Sequence, residues 1–321
     1  MFNPLNNRNV LITGIGGFIG RNLVDYLHHF NWNVYGYSRN SEALETLYGD
    51  KVKAFLPVLD VSALAGNKIG AIIHLAGIAH DLSGNYREED YTRVNYRFTQ
   101  SIFDAFTKYA LKYDKFIFLS SVKAVTDQGI TMLDEEKEPD PVTPYGRSKR
   151  MAEEHINNSG SQVQKFILRP CMVHGPGNKG NLNLLFKFVK SGIPFPLGNF
   201  SNQRSLLTVD NLCFVIHEIL MGNLAPSTYN VADSGTISTC EIVENMAQTM
   251  QKKSKIWNMP KVIVRTIAKT GDYVGGPLNS AKLHKLTEDL TVNNQKLLTA
   301  LGKPLPVDLK TGLTTTLQSF V

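Results

Sequence analysis

The segment VTPYGRSKR, residues 142–150, places Tyr145 four residues before Lys149. Pro144 suits the start of a helix, so both side chains are expected on one helix face, one turn apart. A free tyrosine has a pKa near 10 and is a poor base at neutral pH, but a neighbouring ammonium together with a positively charged nicotinamide ring would stabilise the phenolate and lower that pKa. Tyr145 could then exchange a proton with an alcohol or carbonyl group. The spacing alone is weak, because about one such pair is expected by chance among 12 tyrosines.

A third polar residue, Ser121, follows the apolar run KFIFLSS at residues 115–121. Its hydroxyl could hydrogen-bond the same oxygen while hydride passes between the adjoining carbon and a nicotinamide ring. The sequence therefore predicts Ser121, Tyr145 and Lys149 as a catalytic set. Each residue alone also fits an ordinary role: a strand-end cap, a half-buried aromatic and a solvated helix charge.

The elements that would position this set begin with a glycine-rich turn. The apolar run NVLITG (9–14) leads into Gly14, Gly17 and Gly20, and a periodic apolar run starts at Phe18 and Ile19. Strand, glycine turn and helix in this order let the backbone approach a pyrophosphate, whose charge the free helix N–H groups receive. We predict cofactor contacts here; a tight turn without a ligand is the alternative.

The second predicted strand, NVYGY (33–37), ends in Ser38, Arg39 and Asn40. A carboxylate at this point would bind the ribose hydroxyls of NAD, but a hydroxyl and a guanidinium suit a ribose 2′-phosphate better. The sequence therefore predicts NADP as the preferred cofactor, with NAD as the alternative. A solvated surface arginine is the other interpretation of Arg39.

Three further apolar runs continue the alternation of strand and helix: KAFLPVLD (53–60), AIIHLAG (71–77) and KFIFLSS (115–121), with a helix over 91–110. Alternation of this kind predicts an α/β fold with a doubly wound parallel sheet. Ligands bind such sheets at the carboxyl ends of the strands. That edge would carry Gly14, Arg39, Asp60, Gly77 and Ser121. Further along, Asp210 is expected to cap the helix NLCFVIHEIL, and STCE (238–241) reads as a capping box.

Composition narrows the function classes. The 321 residues are 42% hydrophobic with a formal net charge of +6, and no apolar run approaches the roughly 20 residues that cross a bilayer. The first ten residues lack the apolar core of a signal peptide. Cys171, Cys213 and Cys240 have no metal-ligand spacing and suit reduced thiols. We expect a cytoplasmic protein with no metal, no nucleic-acid partner and no membrane partner.

Several segments together carry a family resemblance: TGIGGFIG, Asp60-Val61, HLAG (74–77), RVN ending at Asn95, FLSSVKAV, PYGRSK, LRPCMVHGPG (168–177) and QRSLLTVDNL (203–212). The chain resembles an extended short-chain dehydrogenase/reductase of the nucleotide-sugar epimerase/dehydratase family, over nearly its whole length. The resemblance implies a Rossmann domain at residues 1–170 and about 210–232. It also implies a smaller C-terminal α/β domain at 171–209 and 233–321 that binds a UDP-sugar, and a homodimer.

The resemblance also implies roles for individual residues. Further cofactor contacts are expected from Asp60, Val61, Leu75, Ala76, Gly77, Ala79, Asn95, Pro170, Met172 and Val173. Substrate contacts are expected from His80, Lys123, His174, Asn181, Leu182 and Arg204. Arg204 is the predicted diphosphate clamp, because guanidinium pairs bidentately with phosphate oxygens. A structural role is the alternative for His174, and a solvated loop lysine is the alternative for Lys123.

The residues after the catalytic serine narrow the reaction. Dehydratases of this family carry an acidic pair there, whereas this chain has Val122 and Lys123. The resemblance therefore favours a reductase that uses NADPH on the 4-keto group of a UDP-4-keto-6-deoxy-N-acetylhexosamine, with Tyr145 as the proton donor. The alternative is a UDP-hexose 4-epimerase with tightly bound NAD. A non-catalytic dinucleotide-binding protein is disfavoured by the intact serine, tyrosine and lysine.

Overall fold

The computed structural model describes residues 5, 7–38, 41–56, 59–79, 86–111, 114–178, 180–274 and 278–321. The predicted site residues Arg39, Asn40 and His80 lie outside these described residues. Within the described residues, no helix is both long and apolar enough to cross a membrane.

The centre of the molecule is a parallel sheet. The strands, in chain order, are β1 Asn9–Thr13, β2 Asn33–Tyr37, β3 Ala54–Phe55, β4 Ala71–His74, β5 Lys115–Leu119, β6 Ile130–Leu133, β7 Gln164–Pro170, β8 Met172–His174, β9 Leu206–Thr208, β10 Thr228–Val231 and β11 Leu290–Val292. In the described part of the chain, seven of them form one sheet in the order β10-β7-β5-β4-β1-β2-β3. Every neighbouring pair is parallel. The strand order reverses at β1, between β4 and β2, so the doubly wound α/β fold predicted from the sequence is confirmed.

Helices pack against both faces of the central sheet. They are α1 Phe18–His29, α2 Glu42–Tyr48, α3 Val61–Gly66, α4 Glu88–Tyr91, α5 Phe98–Thr107, α6 Pro144–Asn158, α7 Asn181–Lys190, α8 Val209–Leu220, α9 Thr239–Thr249, α10 Lys261–Val274, α11 Ser280–Thr287, α12 Gln295–Leu301 and α13 Leu309–Gln318. A π-helical segment, Thr92–Arg97, joins α4 to α5.

The two faces of the sheet bury separate apolar clusters. One contains Val10, Ile12 and Ile117 with residues of α1 and α8, and the other contains Leu11, Phe116 and residues of α5 and α6. Strands buried on both faces read as continuous apolar runs, which is why β1 and β5 stand out in the sequence. Two smaller clusters hold α7, α9 and α13 together, and α10 and α11 against residues 195–197.

Local signals explain the helix that carries Tyr145. Thr143 is the N-cap of α6 and its hydroxyl accepts a hydrogen bond from the N–H of Gly146, with Pro144 at the first helical position. Pro at this position costs no hydrogen bond, and Thr satisfies an otherwise free N–H group. The start and direction of α6 are therefore set by residues 143–146.

Some predicted elements differ from the structure. The run 53–60 forms only the two-residue strand β3 among its described residues, and Asp60 instead caps α3 by accepting the N–H of Ala63 at 2.7 Å. The cap of α8 is Thr208 rather than Asp210, because its hydroxyl accepts the N–H of Asn211. The predicted capping box of Ser238 and Glu241 is confirmed.

Candidate active site

The glycine turn lies at the carboxyl end of β1. Gly14 has a φ of +70°, and a Cβ there would lie 2.7 Å from the backbone nitrogen of Ala76. Only glycine accepts both this conformation and this close approach between neighbouring strand ends. Gly17 is the N-cap of α1, no side chain caps the helix, and its first turn contains no acidic residue. The backbone here fits a diphosphate, because uncapped N–H groups face the edge where Phe18 and Ile19 begin the helix.

A buried histidine, His74, connects its own strand β4 to β1 and α5. His74 Nδ1 is 2.6 Å from the hydroxyl of Thr13, and its Nε2 is 2.8 Å from the hydroxyl of Thr99. The Thr99 hydroxyl donates to the Asn95 carbonyl, so His74 must donate from Nε2 and accept at Nδ1. Burial, and then the charge of Lys149, lowers the pKa of His74 to about 3. A neutral imidazole therefore holds β1 and β4 in register below the site.

Asn95 organises the loop after β4. Its amide accepts from the N–H of Ile78 at 2.7 Å, donates to the Ile78 carbonyl at 3.0 Å and donates to the Ser148 hydroxyl at 3.0 Å. Asn95 is fully buried and lies within the π-helical segment, a feature often found at functional sites. The loop carrying Gly77 is thereby tied to α6, the helix of Tyr145 and Lys149.

Ser121 and Tyr145 meet beside this loop. Ser121 lies two residues beyond β5, its hydroxyl accepts the N–H of Lys123 at 3.2 Å, and it is hydrogen-bonded to the side chain of Tyr145. Burial raises the pKa of Tyr145 to about 12. The hydrogen bond with Ser121 lowers this pKa, and the charge of Asp127 raises it further. In the free protein the pKa of Tyr145 is therefore raised, and the lowering expected from Lys149 together with a positive nicotinamide ring stays a prediction for the cofactor-bound protein. Desolvation of the phenolate outweighs the hydrogen bond that stabilises it.

Lys149 points past Tyr145 to the floor of the site. Its Nζ donates to the Leu119 carbonyl at 2.7 Å and lies 4.7 Å from the centre of the Phe118 ring. Burial lowers the pKa of Lys149 to about 8, and the charge of Glu153 opposes that decrease. A Cβ on Gly77 would lie 3.2 Å from this Nζ. The ammonium therefore lies directly beneath the strand-end loop that the sequence predicts to line a cofactor.

Sequence reasoning missed two carboxylates that support the set. Glu153 is fully buried, accepts hydrogen bonds from Arg169 and Ser120, and lies one turn beyond Lys149. Asp127 accepts the N–H groups of Val142 and Thr143 at 3.0 and 2.8 Å, and so fixes the turn into α6. An acidic residue four positions after Lys149 was a visible signal for Glu153, but no local pattern identified Arg169 as its partner.

Lys123 lies beside this turn, with its Nζ 3.6 Å from Asp127. Its side chain is 41% exposed, so it can reach solvent on the side of the site. The structure thus places Lys123 near Tyr145 through their common neighbour Asp127. A bound ligand would compete with Asp127 for this ammonium.

The remaining predicted substrate residues differ in how accessible their side chains are to a ligand. His174 is completely buried, with Nδ1 2.8 Å from the Thr316 hydroxyl, and burial lowers its pKa to about 4. Its Nε2 has no hydrogen-bond partner among the described residues and lies 3.9 Å from Asp233. Direct substrate contact by His174 is therefore contradicted, and the structural alternative is favoured. Leu182 also packs its side chain into the core, which leaves only its backbone for a ligand.

Asn181 is accessible to a ligand, and Arg204 could bind one by exchanging a polar contact. Asn181 is exposed at the first position of α7, a helix without a side-chain cap or an acidic residue in its first turn. The Arg204 guanidinium donates to the Lys285 carbonyl at 2.7 Å and lies 3.7 Å from Glu288. Burial lowers the pKa of Arg204, and the charge of Glu288 opposes that decrease. A diphosphate at Arg204 would have to replace the carboxylate of Glu288.

The other predicted cofactor residues fall into two groups by exposure. Pro170 is buried at the end of β7. Ser38, Asp60, Val61, Leu75, Ala76, Gly77, Ala79, Met172 and Val173 are partly or fully accessible. Among the described residues, no group of histidine, cysteine, aspartate or glutamate side chains could hold a metal ion.

Comparison with known proteins adds an independent result. A model of the NAD dependent epimerase/dehydratase family matches residues 10–232. The UDP-glucose 4-epimerase of Vibrio cholerae is 29% identical over 98% of this chain and 96% of its own length. The N-acetyl-alpha-D-glucosaminyl-diphospho-ditrans,octacis-undecaprenol 4-epimerase of Escherichia coli O157:H7 is 27% identical over 79% of this chain and 76% of its own.

Among solved structures, the UDP-glucuronic acid 4-epimerase of Bacillus cereus, in complex with UDP-glucuronic acid and NAD, superposes with a TM-score of 0.76. That match covers 97% of this chain and 98% of the other at 21% identity. The likeness supports the same fold over the whole length of both chains.

Proposed function

The chain belongs to the NAD dependent epimerase/dehydratase family and is an enzyme, and we propose that it moves hydride to and from C4 of a UDP-linked hexose. The observation that carries this proposal is the contact of Ser121 with Tyr145 at the strand edge where the glycine turn and Gly77 also lie. Acid–base groups and a diphosphate cradle at one edge suit hydride transfer on an alcohol or ketone.

In this proposal the described residues divide the work. The backbone around Gly14 and Gly17 holds the pyrophosphate of the dinucleotide. The nicotinamide ring, when bound, accepts or supplies the hydride. Tyr145 gives its proton to the sugar oxygen when a ketone is reduced, and takes it back when an alcohol is oxidised. Ser121 hydrogen-bonds the same oxygen and keeps it aligned with the phenol.

The protonation state of Tyr145 decides whether it acts as an acid in reduction or as a base in oxidation. With a pKa of about 12 it is a neutral phenol at pH 7 in the free protein, so it holds the proton that reduction of a ketone requires. It becomes a base only when a positive charge is brought close to it. Lys149 lies on the same helix one turn away, and its ammonium would provide part of that charge together with an oxidised nicotinamide.

Net 4-epimerisation is the form of this chemistry that the comparisons favour. The relative that matches this chain end to end is a UDP-glucose 4-epimerase, and the second relative also acts as a 4-epimerase on a sugar diphosphate. An epimerase oxidises C4, turns the ketone over and reduces its other face. Such an enzyme keeps its NAD bound and needs no added cofactor.

Net reduction of a 4-keto sugar is the second candidate, and two sequence features favour it. Ser38 and Arg39 follow β2 where an NAD enzyme carries a carboxylate, so NADP preference is proposed with this candidate. Lys123 stands where dehydratases need a carboxylic acid, which disfavours elimination of water. In this form the substrate is a UDP-4-keto-6-deoxy-N-acetylhexosamine, and NADPH is consumed. A homodimer and a cytoplasmic location stay predictions.

One panel of assays separates these forms. The purified protein is incubated with UDP-glucose, UDP-galactose and their N-acetylhexosamine counterparts without added cofactor, and the products are identified by NMR. The same protein is mixed with a UDP-4-keto-6-deoxy-N-acetylhexosamine and NADPH or NADH, and absorbance is followed. Interconversion of 4-epimers without cofactor supports the epimerase, and stoichiometric loss of NADPH supports the reductase. Absence of both reactions would refute chemistry at C4 of a UDP-sugar.

A further inference from the structure

Helix α10 exposes an apolar stripe to solvent. Its inner face buries Val264 and Ala268 against α11 and residues 195–197. On its outer side Val262 is 73% exposed, Ile263 47%, Ile267 48% and Tyr273 91%. Single exposed apolar residues are ordinary, but four on one 14-residue helix form a patch of the kind that marks an interaction surface.

The loop before α10 adds an indole. Backbone hydrogen bonds pair residues 255–257 with Phe195, from Phe195 N–H to the Lys255 carbonyl and from Trp257 N–H to the Phe195 carbonyl, both at 2.8 Å. In this extended pairing alternate side chains point to opposite sides. Ile256 packs into the core, whereas Trp257 is 57% exposed. The exposed indole is therefore held on a fixed backbone four residues before the helix.

The same stretch is strongly basic. Between Glu244 and Asp272 the sequence contains Lys252, Lys253, Lys255, Lys261, Arg265 and Lys269, and no acidic residue. All six side chains are exposed. Lys261, Arg265 and Lys269 recur every four residues, so they form a row along α10 beside the apolar stripe. An apolar stripe bordered by a row of cations is the pattern of a helix that lies in the interface of an anionic bilayer.

A second copy of this chain fits this surface less well. A two-fold interface brings a patch against itself, so the basic row would approach its own copy with only Asp272 on α10 to neutralise it, and that carboxylate already accepts two hydrogen bonds from Ser280. Anionic lipid headgroups neutralise the row, while the acyl boundary receives the indole and the aliphatic side chains. The charge pattern therefore selects a lipid surface.

We propose that Trp257 and the outer side of α10 form a docking face for an anionic membrane surface. Docking is peripheral and reversible, since a 14-residue amphipathic helix lies in the interface and does not span it. This inference departs from the expectation, drawn from composition, that the protein has no membrane partner. It does not depend on the reaction proposed above.

Vesicle flotation of the full chain tests the proposal. Vesicles of phosphatidylcholine with 30% phosphatidylglycerol, and vesicles of phosphatidylcholine alone, are compared at low and high NaCl concentration. The wild-type protein should float with the anionic vesicles at low salt. It should not float with them at high salt, and it should not float with vesicles of phosphatidylcholine alone. Failure to bind anionic vesicles at low salt would overturn the proposal.

Two variant pairs locate the face. Arg265→Glu with Lys269→Glu should weaken binding about 30-fold or more, because each basic residue near such a surface is worth about 1 kcal/mol. Lys137→Glu with Lys310→Glu changes the net charge equally at exposed positions elsewhere and should bind like the wild type. Equal losses in the two pairs would mean that net charge alone drives binding, and would overturn the assignment to α10.

A third variant tests the apolar stripe without changing charge. Val262→Ser with Tyr273→Ser alters the two most exposed positions and should weaken vesicle binding at least several-fold, with circular dichroism unchanged. Analytical ultracentrifugation of the same variant tests the alternative occupant of this face, a second copy of the chain. If the wild type bound no vesicles but formed an oligomer that this variant lost, the face would be an interface between copies of the chain.

Discussion

The carboxylate of Glu153 accepts three hydrogen bonds from Arg169, from Nε to Oε1 at 3.0 Å and to Oε2 at 3.2 Å, and from Nη2 to Oε2 at 2.6 Å. Both side chains are buried, and Ser120 also donates to Oε1. The pair joins α6 to β7, and Ser120 is the direct neighbour of Ser121. The helix of Tyr145 and the loop of Ser121 are therefore held in one arrangement by a buried ion pair.

Glu153→Gln should destabilise the protein by about 3–5 kcal/mol, because it leaves the Arg169 charge buried without a counter-charge. The measurement is urea denaturation followed by circular dichroism. Glu154→Gln is the matched control, since Glu154 is the adjacent residue, is 49% exposed and forms a surface ion pair with Arg150. Surface pairs of this kind contribute about 0–1 kcal/mol. Equal stability of the two variants would contradict a structural role for the buried pair.

Gly77→Ala should weaken dinucleotide binding about tenfold or more, because the new methyl group would lie 2.9 Å from Asn95 Oδ1 and 3.2 Å from Lys149 Nζ. Overpacking of this kind typically costs about 1–3 kcal/mol. Titration of NADH fluorescence measures the affinity. Gly66→Ala is the control, since a Cβ there meets nothing within 4 Å. Unchanged affinity in Gly77→Ala would remove this loop from the cofactor site.

The pH dependence of stability should reflect the buried imidazole of His174. Its folded pKa is lowered from the ordinary 6.5 to about 4, so only the unfolded chain binds a proton between these values. The stability it contributes is complete above pH 6.5 and is lost as the pH falls towards 4. Asp233, whose pKa burial raises to about 6, acts in the opposite direction below pH 6.

His174→Gln should therefore lose about 1 kcal/mol less stability than the wild type between pH 7.5 and 5.5. Urea denaturation at the two pH values measures the difference, and Asp233 is present in both proteins. The same substitution at exposed His28 should leave the pH dependence as in the wild type. A parallel pH dependence in wild type and His174→Gln would show that His174 titrates alike in both states.

The sequence predicted the parts of this molecule that depend on local signals. β1 and β5 are buried on both faces and read as apolar runs, and Pro144 indicated the start of α6. The conformation of Gly14 followed from the strand–turn–helix order around it. Such features need only neighbouring residues, so a single sequence reveals them.

Features that depend on distant contacts were not predictable in this way. The spacing of Tyr145 and Lys149 indicated a common helix face, but not that the ammonium would bind the Leu119 carbonyl. His174 is buried beside Thr316, a hydrogen-bond partner 142 residues away. The pKa of Tyr145 likewise depends on how much of the fold covers the phenol, which outweighs its polar neighbours.

The central claim is that the hydroxyl of Tyr145 moves the proton of the reaction. Its most direct test is the kcat of Tyr145→Phe with the UDP-sugar that the wild-type protein turns over, measured beside NADH affinity by fluorescence. We expect kcat to fall about 10²–10⁴-fold while NADH affinity stays within a few-fold of the wild type. Full turnover by Tyr145→Phe with an intact cofactor site would contradict this role of the hydroxyl.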